Sequence, residues 1–192
     1  MLAKLSMAVA MGAFIAAIPG VTATQKNNIV DVEVEEVIEK TWKCAGCSPE
    51  ENFTLAYLQD KTLIRDKNAL ATILGNIKQE SRFLPNICEG GARVPYHKCH
   101  SGGYGLIQWT TLNRYKNLGL FCNKYGCDPS SLEGQVRYMV NEKGFQNNLP
   151  YFEGVGQTIN QYMNAAYRWL GWGIHGARTE YAYQYLGKLH YS

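Results

Sequence analysis

The sequence predicts a mainly α fold: a single helical domain with a glycine-rich loop or small β element in its middle. Three observations carry that prediction. Apolar residues recur at helical spacing along much of the chain. Ser or Thr followed three positions later by Glu or Gln marks several helix starts. Between the helices, residues 84–105 hold five glycines, two prolines and two cysteines, a long loop of the kind that compact domains keep for function. A chain of 192 residues has room for one domain with a real core and little room for two.

The elements follow in order. Met1-Leu-Ala-Lys4 is a short positive start, Leu5–Ile18 is an uncharged run, Pro19-Gly20 breaks it, and Val21-Thr22-Ala23 offers small residues for cleavage. The run falls short of the ~20 residues of a membrane span. Residues 1–23 therefore read as an export signal, with an uncleaved hydrophobic anchor or a membrane-active arm of a virus particle as alternatives. Residues 24–28 form a polar linker. Residues 29–42 carry Val30, Val34, Val37, Ile38 and Trp42 at mostly helical spacing, although Val30, Val32 and Val34 would also suit a strand.

Ser48-Pro-Glu-Glu51 starts the next helix: Ser48 caps it, Pro49 fits its first turn and Glu51 completes a capping box. That helix runs to about residue 60. Asn68 is the expected cap of another, whose Leu70, Ile73, Leu74 and Ile77 line one face; Glu80 follows at its end and Pro85 stops any continuation. Thr110 or Thr111 opens a helix expected to break near Gly119. Ser130 and Glu133 match a capping box for the next, with Leu132, Val136, Met139 and Val140 inward. Thr158 and Gln161 cap a further helix with Ile159, Tyr162, Met163, Ala166, Trp169 and Leu170 inward. Gly171-Trp-Gly173 ends it, and residues 177–189 form the last helix.

The net charge of +3 is mild and no basic run points to nucleic acid; it favours an anionic wall or membrane surface weakly. Six cysteines, Cys44, Cys47, Cys88, Cys99, Cys122 and Cys127, suit an exported protein with structural disulfides. Pairing of Cys88 with Cys99 and of Cys122 with Cys127 would close short loops. The Cys44-Ala-Gly-Cys47 pair can also be read as half of a zinc site or as a redox pair.

The chemistry centres on two segments. Leu74-Gly-Asn-Ile-Lys-Gln-Glu-Ser81 ends a helix on the carboxylate of Glu80, and Gly102-Gly-Tyr-Gly-Leu-Ile-Gln-Trp109 is a glycine-rich turn with aromatic and amide side chains. Breaking a glycosidic bond needs an acid to protonate the leaving oxygen. An ordinary Glu, with a pKa of ~4.3, is ionised at neutral pH, but burial against an apolar face raises that value. The glycines let backbone approach a ligand, Gln108 can hydrogen-bond sugar hydroxyls or acetamido groups, and Tyr104 and Trp109 offer flat faces, which equally suit a core. The turn can also be read as purely structural.

Together, Leu-Gly-Asn-Ile-x-Gln-Glu-Ser-x-Phe, Gly-Tyr-Gly-Leu-Ile-Gln-Trp and Asp128-Pro-Ser-Ser-Leu-Glu-Gly-Gln-x-x-Tyr-Met-Val-Asn-Glu142 resemble the phage tail lysozyme family, within the lysozyme and lytic transglycosylase superfamily. The resemblance runs from about residue 66 to 145, with an echo, Arg178-x-x-x-Ala182, in the last helix. It implies a mainly α (α+β lysozyme-like) catalytic domain over 66–192, leaving 24–65 as an N-terminal extension and candidate docking segment. It implies Glu80 as catalytic acid, and Tyr104, Gly105, Gln108 and Trp109 lining a glycan cleft, with no cofactor. Trp169-Leu-Gly-Trp172 stands where family members often carry an aromatic-Glu-Arg-Pro segment.

The implied activity is a peptidoglycan-cleaving glycosidase, a muramidase or a lytic transglycosylase. It would be carried by a phage particle, with other tail or virion proteins as partners, or exported as an endolysin. Glu89 is the first candidate for a second carboxylate, since its loop should fold over the site; Glu133 and Glu142 are expected to cap or solvate their helix. A transglycosylase needs no second carboxylate. The alternative from another class is a wall-binding or structural particle protein that keeps the fold without activity. His175 as a zinc ligand has no His-Glu-x-x-His partner set, and Cys99 beside His100 is the one tempting thiol pair.

Overall fold

Burial of one helix on all sides organises this protein. The computed structural model describes residues 41–100 and 102–192. The segment 1–23, the linker 24–28 and most of the helix expected over 29–42 lie outside the described residues. Trp42, the last apolar position of that expected helix, instead starts a strand, β1 (Trp42–Cys44). The helices are α1 (Pro49–Lys61), α2 (Lys67–Ser81), α3 (Leu112–Tyr125), α4 (Leu132–Asn141), α5 (Lys143–Phe152), α6 (Ile159–Leu170) and α7 (Arg178–Lys188), and strand β2 (Leu189–Tyr191) follows. The fold is mainly helical, as the apolar periodicity predicts. β1 and β2 pair antiparallel, Trp42 opposite Tyr191 and Cys44 opposite Leu189.

α2 forms the centre of the core. Leu70, Ile73, Leu74 and Ile77 are all fully buried, packed between α6 and α7. α1 starts with the expected capping box of Ser48 and Glu51, and its Leu55 and Leu58 enter the same core. The Gln59 side chain fixes β1 to α1: it accepts from the Trp42 N–H at 2.7 Å and donates to the Trp42 carbonyl at 2.9 Å. The α6 capping box of Thr158 and Gln161 also forms.

Four boundaries differ from expectation. The cap of α2 is Asp66, not Asn68: Asp66 Oδ1 accepts from the N–H groups of Asn68 and Ala69, while the Asn68 side chain donates to the Gln157 carbonyl. α4 is capped by Ser131, which accepts from Gly134 N. Ser130 is drawn away, since its hydroxyl accepts from Tyr96 N. α3 runs through Gly119 without a break and ends at Gly126 (φ +65°). Gly119 is small for packing reasons: a Cβ there would lie 2.6 Å from the Tyr96 hydroxyl. α5 was not expected at all. Gly144, two asparagines and Pro150 speak against a helix, but Phe145 and Phe152 are buried against Trp169 and that burial prevails.

All six cysteines are paired, Cys44 with Cys47, Cys88 with Cys99 and Cys122 with Cys127, so the zinc alternative gives way to disulfides. The β element of the glycine-rich loop is reduced to two isolated bridges, Ile87 with Arg93 and Cys88 with Tyr104. Among the described residues no helix is long and apolar enough to cross a membrane.

Candidate active site

Glu80 reaches its position because two helices approach closely where both side chains are small. At Gly75 of α2 a Cβ would stand 2.5 Å from Ala182 N and 2.8 Å from Ala182 Cα, so only glycine admits α7 at this distance. One turn further along α2, the Gln79 side chain accepts from the Ala177 N–H at 2.9 Å and holds the start of α7. Arg178, the first residue of α7, is thereby set against Glu80, and the two form an ion pair across 98 residues of sequence. The Arg178 guanidinium also donates to the His175 carbonyl at 3.2 Å and lies 4.6 Å from the ring centre of Trp172. Its Nε is buried without a partner.

These groups border a cleft of about 590 Å³ lined by Glu80, Gln108, Thr110, Arg114, Trp172 and Arg178, with Ile107, Leu170 and Ile174 among its apolar walls. Burial pushes the Glu80 carboxyl above the usual glutamate range, against the opposing pull of Arg178 and, more weakly, Arg114. Burial likewise lowers the Arg178 guanidinium from its ordinary value, and Glu80 offsets part of that. A carboxyl kept protonated more readily than normal, facing an open cleft, is equipped to give up a proton.

The three sequence motifs meet in one buried network. Ser81 donates to the Leu106 carbonyl at 2.7 Å, tying the turn to α2. Leu106 N donates to Gln135 Oε1 at 2.7 Å, and Gln135 Nε2 donates to the carbonyls of Pro85 and Pro129. Gly105 (φ +71°) makes room for that amide, since a Cβ there would fall 2.3 Å from Gln135 Oε1. Trp109 Nε1 donates to Glu142 at the end of the third motif.

Of the residues expected to line the glycan cleft, the structure places Gln108 there, at φ +50° with its amide donating to the Gly105 carbonyl. Tyr104 and Trp109 are fully buried. Tyr104 donates to the Val94 carbonyl and packs edge-on against Tyr96 and Tyr115, so its ring is core and presents no face to a sugar. Gly105 is a packing position. Glu89 does not line the Glu80 cleft: its carboxylate accepts from Gly103 N at 3.2 Å, on a seat that a Gly102 Cβ would occupy.

Glu142 caps by its backbone, at the end of α4 and the start of α5, but its side chain neither caps nor is solvated. It is buried and accepts from Arg114 (2.6 and 3.1 Å), Trp109 (3.1 Å) and Trp169 (2.8 Å). Glu133 is exposed and pairs with Arg137 at 3.7 Å. His175 sits against the Thr179 hydroxyl, and among the described residues no cluster of His, Cys, Asp or Glu is placed to hold a metal.

Sequence reasoning missed Arg114 as a cleft residue, met Trp172 only in the segment that replaces the family's aromatic-Glu-Arg-Pro, and saw Arg178 only as an echo. The signal was present in part: an arginine one turn before Ala182, on the face that α7 turns to α2, is out of place in an apolar stripe.

A family model described as phage tail lysozyme matches residues 63–172, and the chain belongs to the phage tail lysozyme family. No curated protein and no solved structure matches it. The family gives the protein a lysozyme-like role in degrading the bacterial cell wall. Arg178 and the rest of α7 lie beyond the matched residues.

Proposed function

We propose that this protein cleaves the glycan strands of peptidoglycan between MurNAc and GlcNAc, with Glu80 as general acid, and that it does so as a lytic transglycosylase. The observation that carries this is the make-up of the cleft: Glu80 is the single carboxylate among the described residues lining it. A hydrolase of this kind needs a second carboxylate about 5–5.5 Å from the acid for retention, or about 6.5–9.5 Å for inversion. The Glu89 and Glu142 carboxylates are both engaged elsewhere by hydrogen bonds.

With one carboxylate the reaction proceeds in two halves. Protonated Glu80 gives its proton to the glycosidic oxygen as the bond to MurNAc C1 breaks. The resulting carboxylate then takes the proton of the sugar's own 6-hydroxyl, whose oxygen bonds to C1 and closes an anhydro ring. Glu80 ends protonated, so the cycle balances without water or cofactor.

The family and the three disulfides fit a virion-borne or exported, oxidising setting. Residues 1–23, read as an export signal, favour release to the periplasm; the family favours carriage by the particle.

The test is digestion of purified peptidoglycan by the disulfide-intact protein and by Glu80→Gln, with fragments weighed by mass spectrometry. Anhydro-MurNAc ends from the wild type, and a roughly 10²–10⁴-fold loss in Glu80→Gln with binding retained, are expected. Reducing MurNAc ends would mean a hydrolase. No products from either protein would support the wall-binding or structural reading.

A further inference from the structure

We propose that Arg178 is a positioning residue of this site: its guanidinium, stacked on Trp172 and anchored to the His175 carbonyl, aims the Glu80 carboxylate into the cleft and stabilises the charge that appears there once Glu80 has given up its proton. The proposal rests on Glu80 acting as the general acid.

Three features of the geometry carry it. First, the pair is built at a distance by dedicated contacts. Gly75 lets α7 approach, Gln79 holds Ala177 N, and Trp172 covers the guanidinium face. Second, the arrangement is a poor way to stabilise a fold. Arg178 is only 5% exposed at its side chain and keeps a buried Nε without a partner. Well-packed apolar residues in place of a buried ion pair are often as stable or more so. A fold that retains such a pair next to a cleft gains something other than stability from it. Third, the pair lies on the cleft and not behind it, since both residues line the space where substrate would sit.

The chemistry gives the pair its use. Burial makes Glu80 a willing proton donor, but the same burial strands the carboxylate once the proton has left. Arg178 meets that charge with a charge-assisted hydrogen bond already in place, so no group has to reorganise as the glycosidic bond breaks. It stays protonated throughout and moves no proton itself. Among the described residues the other charged group acting on Glu80 is Arg114, from α3, which is held by Glu142. On the loop before α7, His175 packs its ring against Trp172.

The test is a pH–rate series on purified peptidoglycan with wild type, Arg178→Met, Arg178→Lys and His175→Gln, read beside Glu80→Gln. Removing the cation leaves burial unopposed at Glu80. The alkaline limb of Arg178→Met is therefore expected at higher pH than wild type, with kcat lowered by about 10²-fold and KM little changed. Arg178→Lys keeps the charge without the planar fork and is expected to recover part of the rate and most of the limb. For variants too slow to assay, ¹³C carboxyl NMR of Arg178→Met, or of Arg178→Gln where Arg178→Met does not fold, against wild type, with the Glu80 signal assigned by its absence in Glu80→Gln, reads the same displacement directly. A lower melting temperature with an unmoved limb would show Arg178 to be structural only and overturn the proposal. A limb that moves with His175→Gln and not with Arg178→Met would overturn it as well. Products formed by Glu80→Gln at the wild-type rate would instead remove Glu80 as the acid, a failure distinct from either.

Discussion

Gly75→Ala is the sharpest perturbation the structure offers. In an open helix this change stabilises by about 1 kcal/mol, because alanine is the better helix former. Here the new Cβ would lie 2.5 Å from Ala182 N, where ordinary contact begins at 3.4 Å. The obstructing atoms are backbone, so no side chain can swing aside. α7 has to withdraw by roughly 1 Å, and overpacking of this kind costs about 1–3 kcal/mol. With the blocking atoms fixed we take the upper end. Subtracting the helix-propensity gain leaves a net loss of about 2 kcal/mol, or a fall in Tm of about 4–8 °C for a domain of this size. A displacement of that length between Glu80 and Arg178 also costs about 10²-fold in rate. Circular dichroism melting and a peptidoglycan-clearing assay measure the two effects. Gly187→Ala is the control: a Cβ there meets nothing within 4 Å, so it should gain stability and leave activity intact. If Gly75→Ala behaves like Gly187→Ala, the close α2–α7 approach is not what sets the site.

Three further outcomes are expected. Because burial raises Glu80, the protonated acid persists to a higher pH than for a free glutamate. Activity should fall as pH rises through that raised value, and Glu80→Gln should remove this limb from any residual rate. Glu142→Gln leaves the Arg114 cation without its buried counter-charge and turns an amide donor toward other donors. It should cost about 3–5 kcal/mol, seen as a lower urea midpoint, whereas a midpoint within error of wild type would refute the account of this cluster. Replacing both Cys88 and Cys99 by Ser frees the loop that carries the Glu89 and Tyr104 backbone bonds. It should lower stability by roughly 3 kcal/mol, checked by thermal melting, with the clearing rate falling at temperatures the parent tolerates.

The parts of the fold legible in the sequence were those governed by local rules. Ser48 with Glu51 and Thr158 with Gln161 act within one turn, and the α2 apolar face repeats every helical turn, so pattern alone suffices. Where a boundary depends on a remote group, the pattern misleads. Ser130 looks like a cap until Tyr96 takes its hydroxyl, and Gly119 looks like a break until the Tyr96 ring is seen to need the space.

The site divides the same way. Glu80 is visible as a carboxylate ending an apolar face. Its partner is not, because Arg178 lies 98 residues further on and its placement depends on Gly75 and Gln79 bringing α7 into place. Tyr104 and Trp109 mislead in the opposite direction: rings in a glycine-rich turn suit a sugar, but a turn that must anchor to Gln135 and Glu142 buries them.

The ion pair between Glu80 and Arg178, 98 residues apart, also bears on when the cleft can exist during synthesis. α2 emerges well before α6 and α7, which supply most of the cover for its apolar face, and Arg178 is made 98 residues after Glu80. A chain still short of α7 holds Glu80 without its counter-charge and without the packing that aims it. An unfinished copy thus lacks the Arg178 wall of the cleft until α7 has been made.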